Sequence, residues 1–132
     1  MFDINMDEYN VISTPTESEK GGTMLYLNEN IKIMYKSTDL ESTFIEILNK
    51  NKSNIICGCI YRHPKMDQNE FNAKYLNPLL DKINKGNKSI FLLGDFNIDL
   101  MKTNQDKNTS TFFDSITSNL MVSHIIYPTR IT

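Results

Sequence analysis

Asp95 and Asn97 stand two residues apart, directly after the apolar run Ile90-Phe91-Leu92-Leu93 and Gly94. A carboxylate at such a place can hold a hard cation or take a proton from water. A carboxamide beside it can donate an N–H to an anionic oxygen without adding a competing negative charge. Together the two side chains suit hydrolysis of an anionic ester. Taken alone, Asp-Phe-Asn is also an ordinary polar turn after a strand, because Asp and Asn bond readily to their own backbone.

The elements around this pair must position it. Residues 89–93 read as a strand, and the continuous apolar run predicts burial on both faces, as in the middle of a layered domain. Open sheets carry functional groups just past the carboxyl ends of their strands, which is where Asp95 falls. Upstream, Tyr9–Ile12, Thr23–Leu27, Ile31–Lys36, Thr43–Leu48 and Asn54–Tyr61 read as further strands. Residues 13–22 read as a loop. Asn28-Glu29-Asn30 reads as a hairpin connection between the second and third strands, and 49–53 as that of another hairpin.

Asp67-Gln68-Asn69-Glu70 has the spacing of a capping box. Phe71, Tyr75, Leu76, Leu79, Leu80 and Ile83 then mark one helical face. Pro78 interrupts that pattern and predicts a kink or break near residues 74–77, and Gly86 is the expected stop. A second helix fits Thr109–Asn119, with Phe112, Phe113 and Ile116 inward and Asp114 outward. Residues 122–132 read as a short extended segment.

Composition sets the class. The chain has 132 residues, 39% hydrophobic and 23% charged, with a formal charge of −2. This is the profile of a globular domain rather than of a basic nucleic-acid-binding module, although a bound divalent ion reverses the field of an acidic site. No apolar run approaches the roughly 18–20 residues that span a bilayer, so no membrane partner is expected. The first residues lack the basic start and apolar core of a signal peptide. Cys57 and Cys59 share one face of their strand and read as small buried thiols, with no further Cys or His pair to complete a zinc site. Lys82, Lys85 and Lys88 read as a solvated face, with a DNA-backbone contact as the second reading; Asp99 reads as a solvated loop carboxylate, His63 as a surface turn with a loop role near Tyr61 as its alternative, and His124 as a partly buried residue. Tyr26, Tyr35 and Tyr75 read as packing residues.

The order "GGTMLYL", "LESTFIEI", "GCIYRHP", an amphipathic helix, "IFLLGDFNIDL", a "FFDSI" helix and "YPTRIT" resembles the endonuclease/exonuclease/phosphatase family. More narrowly, it is similar to the endonuclease domain of non-LTR (LINE-type) retrotransposons, from about Tyr9 onward. The resemblance implies an α/β (α+β) fold, a four-layered sandwich of two packed mixed sheets flanked by helices, with residues 1–132 as one partial domain. It implies DNA cleavage dependent on Mg²⁺ or Mn²⁺, leaving a 3′ hydroxyl that can prime reverse transcription. A reverse transcriptase in the same polyprotein and an intracellular, nuclear setting would accompany it.

By the same resemblance Tyr61 contacts the scissile phosphate, Asp95 orients or deprotonates the attacking water, and Asn97 holds the phosphate and the aspartate. Thr129 falls at the DNA-binding edge, and Arg130 adds a phosphate contact. The family's early asparagine and its glutamate, the principal metal ligand, have no counterpart here, nor do its late aspartate and Ser-Asp-His motif. No metal ligand is therefore assigned within the chain, and the 132 residues alone are expected to fold poorly and cleave little. Another phosphoesterase of the same superfamily, or a non-catalytic remnant, are the alternative readings.

Overall fold

A computed structural model describes residues 9–14, 21–27, 31–37, 40–125, 127 and 129. The chain is of mixed α/β class, and the described residues group into two compact units, residues 1–63 with 87–96 and residues 64–86 with 97–132.

The first unit is built from strands. β1 (Asn10–Thr14) and β2 (Thr23–Leu27) form an antiparallel two-stranded sheet. β3 (Ile31–Ser37), β4 (Ser42–Ile47), β5 (Ile55–Tyr61) and β6 (Ser89–Asp95) form a four-stranded sheet in that order. β3–β4 and β4–β5 pair antiparallel, with a register shift between Ile33 and Tyr35, whereas β5–β6 pair parallel. The parallel pair requires a long crossover, which the helical residues between Tyr61 and Ser89 supply. The hairpin expected between the second and third strands is not formed. β2 returns along β1 and β3 opens the larger sheet, so a sequence boundary between two strands is here a boundary between two sheets. The connection itself, 28–30, lies outside the described residues, as do 15–20 of the expected loop.

The two sheets meet through hydroxyls. Thr43 Oγ1 lies 2.7 Å from Thr14 Oγ1 and 3.1 Å from Thr23 Oγ1, and Thr14 also donates to the Ser42 carbonyl at 3.4 Å. Small side chains allow the sheets to approach, and the hydroxyls of Thr14, Thr23 and Thr43 satisfy one another, as buried polar groups need, whereas the buried Ser42 hydroxyl has no partner among the described residues. Phe44 and Ile45, next in sequence to Thr43, are buried, as are Ile56 and Ile60 of β5. Phe44 pairs with Gly58 across the β4–β5 ladder, and its ring covers the space a side chain there would need.

One end of this sheet carries a buried ion pair. Glu46 is buried and bonds to Lys88, and it accepts from Asn54 Nδ2 at 2.9 Å. Lys88, expected in a solvated face with Lys82 and Lys85, is thus a partner that lets a carboxylate sit inside the sheet.

The apolar run of β6 departs further from expectation. Phe91 and Leu93 share an exposed face of β6, at 55% and 53%, while Ile90 and Leu92 on the opposite face are half-buried. Residues paired across a ladder share a face. Cys57 and Cys59, paired with Phe91 and Leu93, are accordingly half-buried free thiols rather than fully buried ones.

The second unit is helical. α1 (Gln68–Glu70) begins at Asp67, whose carboxylate accepts from the Glu70 N–H at 2.9 Å, as the sequence signature requires. A π-helical stretch (Phe71–Leu76) follows and leads into α2 (Asn77–Asn84). The cause is Pro78, which has no N–H to give to a carbonyl one turn back and whose ring would clash with it. The helix widens instead, and the Asn77 N–H bonds to the Asn72 carbonyl. Pro78 then occupies the first turn of α2, where a missing donor costs little. α2 ends as expected near Gly86, but the left-handed residue is Asn87, at φ 48°.

A 3₁₀ turn (Leu100–Lys102) precedes α3 (Lys107–Ser118). Phe71 and Phe112 stack at 6.4 Å between ring centroids, and both are buried, while Phe113 and Ile116 are half-buried and Asp114 is exposed. Asn84 Nδ2 donates to Asn119 Oδ1 at 2.9 Å where the two helices end. Among the described residues no helix is long and apolar enough to cross a membrane.

Candidate functional site

The arrangement begins with Gly94. It lies in β6 opposite Ile60, at φ 148°, and a Cβ there would stand 1.8 Å from the Ile60 carbonyl oxygen. Only glycine admits so close a backbone approach in that conformation. This contact seats the end of β6 against β5. It brings Asp95 into register with Tyr61, at the carboxyl ends of two parallel strands and on the same face of the sheet.

Both residues are tied down through the backbone. The Tyr61 N–H donates to the Glu41 carbonyl at 3.1 Å, and the Arg62 N–H donates to the Asp95 carbonyl at 2.9 Å. Glu41 itself adopts φ 45°, a conformation uncommon outside glycine, and its Oε2 accepts from the Gly22 N–H at 2.6 Å. That bond joins the start of β2 to the start of β4 at the site end of the sheet. The His63 ring stands edge-on to Tyr61, 6.4 Å between centroids and 88° between planes. His63 is half-buried beside Tyr61 rather than in a surface turn.

Arg62 turns inward. It is 4% exposed, and its Nε donates to the Phe96 carbonyl at 2.6 Å. A longer contact, 3.5 Å, runs from Nη1 to the His63 carbonyl. After Phe96 the chain reverses through Asn97, at φ 49° in the left-handed region that asparagine tolerates best after glycine.

Of the residues singled out by sequence, Tyr61 and Asp95 are therefore brought together, the first half-buried and the second exposed to solvent. Asn97 is half-buried at the start of the second unit. Thr129 is exposed in that unit's irregular final segment, and Arg130 lies outside the described residues. His124 is exposed rather than partly buried. Asp99 is a cap as well as a solvated carboxylate, since its Oδ1 accepts from the Met101 N–H at 3.1 Å. Burial pushes both thiols upward in pKa, and at Cys59 the neighbouring Cys57 adds to the effect. Such thiols are poor nucleophiles at neutral pH.

Among the described residues no three His, Cys, Asp or Glu side chains converge as a metal cage. Mg²⁺ commonly binds through one or two carboxylates, with waters and substrate phosphates completing its shell. Asp95 offers one such carboxylate, and that is not a metal site by itself. The chemistry available from these residues alone is an exposed base, a phenol donor beside it and a carboxamide two residues on.

Sequence reading missed the two braces, Glu41 and Arg62. Arg62 was visible only as a letter of "YRHP", and Glu41 only as a letter of "LESTFIEI"; nothing in either stretch announces an inward-turned guanidinium or a left-handed glutamate. Comparison with known protein families, curated proteins and solved structures finds no match to this chain.

Proposed function

We propose that the chain carries the central part of a phosphodiester hydrolase acting on DNA, of the endonuclease/exonuclease/phosphatase type and nearest in motif order to retrotransposon endonucleases. The observation that carries this reading is the register of Tyr61 with Asp95 at the carboxyl ends of a parallel strand pair. Ligand sites of open sheets collect at that end, and residues there come from different strands. The two sheets packed through Thr14, Thr23 and Thr43 agree with the sandwich that the resemblance implies.

In this reading Asp95 orients a water for in-line attack and accepts its proton. Its exposure leaves room for both water and substrate. Tyr61 donates its phenolic hydrogen to a non-bridging phosphate oxygen, and Asn97 donates its amide to another, where charge grows as the water adds. Thr129 and Arg130 contribute along the DNA backbone. A Mg²⁺ or Mn²⁺ ion would supply charge neutralisation on the phosphate. Because the described residues assemble no cage for it, no step is assigned to the ion here.

The reading is tested by supplying Mg²⁺ and comparing nicking of supercoiled plasmid with release of phosphate from a small monoester. Metal-dependent nicking without monoester turnover supports a DNA endonuclease. Monoester turnover alone would move the chain to a phosphatase role, and neither activity, with its flanking reading frame present, would leave no support for an enzyme.

A further inference from the structure

We infer that Arg62 is a positioning residue for the Asp95 turn, holding its backbone through the guanidinium. The inference rests on the reading above, in which that turn carries the reacting carboxylate. An arginine is rarely buried without a strong reason, since removal of its charge from water is costly. Arg62 is 4% exposed, and its Nε donates to a main-chain oxygen, that of Phe96, at 2.6 Å. Its own N–H closes on the Asp95 carbonyl at 2.9 Å. One residue thus grips two successive carbonyls of the segment, one from its backbone and one from its side chain. The residue just before it is Tyr61, and the one just after the gripped carbonyls is Asn97.

The arrangement explains why a left-handed asparagine can be held at a strand end. A charged donor makes a stronger bond to a carbonyl than a neutral one, so the peptide after Phe96 has a fixed direction. A neutral side chain of similar length would fill the space and lose that bond. In this scheme Arg62 is assigned no step of the reaction. Its effect on chemistry passes through the Asp95 carboxylate, whose backbone it anchors on one side while Gly94 seats it on the other.

The test reads the exchange rate of the residue 62 amide, which is present in every variant and reports closure onto Asp95. It is compared with the amides of Ile56 and Ile60, which report the sheet. For Arg62→Met, loss of a charge-assisted bond predicts roughly tenfold or more faster exchange at residue 62, with the sheet amides within about twofold. Arg62→Lys, which keeps the charge but not the fork, should fall between.

If residue 62 exchanges as in the wild type, or if all three amides accelerate together in both variants, Arg62 is not a positioning residue of the turn. Nicking is measured in parallel on the same proteins. A fall in kcat at unchanged KM in Arg62→Lys links the turn to chemistry, whereas equal kcat in the two proteins overturns that link. Wild-type inactivity with intact turn protection would instead remove the hydrolase reading and leave the anchoring role standing.

Discussion

Replacement of Gly94 by alanine should be among the most damaging single-methyl changes this chain can suffer. A Cβ at 94 would lie 1.8 Å from the Ile60 oxygen, 2.8 Å from its carbonyl carbon and 3.0 Å from its nitrogen. These are main-chain atoms of the neighbouring strand, so no side-chain rotation relieves the clash. The backbone conformation, φ 148°, is itself one that alanine adopts only under strain of about 1–3 kcal/mol. Relief requires β6 to move off β5 at its end, which loses one or two ladder bonds of about 1 kcal/mol each.

The sum is about 2–5 kcal/mol, a large part of the roughly 5–15 kcal/mol that holds a domain of this kind together. Urea denaturation of Gly94→Ala beside wild type measures it. Gly58→Ala is the useful comparator, because there the obstacle is the Phe44 ring at 2.0 Å, a side chain, and overpacking of a core costs about 1–3 kcal/mol. A loss below about 1 kcal/mol for Gly94→Ala would refute the claim that Gly94 seats Asp95 against β5. A loss at Gly58 exceeding that at Gly94 would also count against it.

Three further outcomes follow from the same structure. Lys88→Met should cost about 2–4 kcal/mol in chemical denaturation, because it strands the buried Glu46 carboxylate, while the double change Lys88→Met with Glu46→Gln should cost clearly less. Pro78→Ala should change stability by less than about 1 kcal/mol, since the π-helical stretch has already placed the proline in a first turn; a gain near the ~3 kcal/mol of an interior proline would contradict this. Asp106 caps α3 by accepting from the Thr109 N–H at 2.8 Å and hydroxyl at 2.7 Å, and these bonds hold its carboxyl below the usual carboxylate range. A carboxylate depressed on folding stabilises above its unfolded pKa of about 3.9 and loses that contribution as pH falls through the folded value. Asp106→Asn should therefore flatten the acid limb of the stability profile, and an unchanged limb would remove the cap from the account.

Much of the fold was legible because it depended on local chemistry. β2, β4, β5 and the start of β6 follow from apolar and β-branched runs between polar turns, and α3 from its aromatic face. The Asp67 cap and the Pro78 disturbance were also readable, since each rests on the chemistry of one residue. What escaped depended on distant neighbours. The run Ile90–Leu93 reads as buried on both faces, whereas in the structure Phe91 and Leu93 share an exposed face and Ile90 and Leu92 a half-buried one. The separation of β2 from β3 into different sheets leaves no mark on the intervening Asn28–Asn30. Lys88 looks like any surface lysine until Glu46, 42 residues away, is known to be its partner.

The candidate site divides in the same way. Asp95 and Asn97 were suggested by residue type after a strand, and Tyr61 entered only through motif order. The placing of Tyr61 beside Asp95 required the β5–β6 register, which depends on the 1.8 Å approach that glycine alone permits. Arg62 and Glu41 act through the backbone geometry they hold, and such roles have no signature in composition or spacing.

The measurement that bears most directly on the central claim is Mg²⁺-dependent nicking of supercoiled plasmid by the protein, wild type against Asp95→Ala. Loss of a positioned base predicts a rate lower by roughly 10²–10⁴-fold, with Asp99→Ala as a control close to wild type. An Asp95→Ala protein that nicks within a few-fold of wild type, or equal losses at Asp95 and Asp99, would contradict a hydrolytic site at the end of β6.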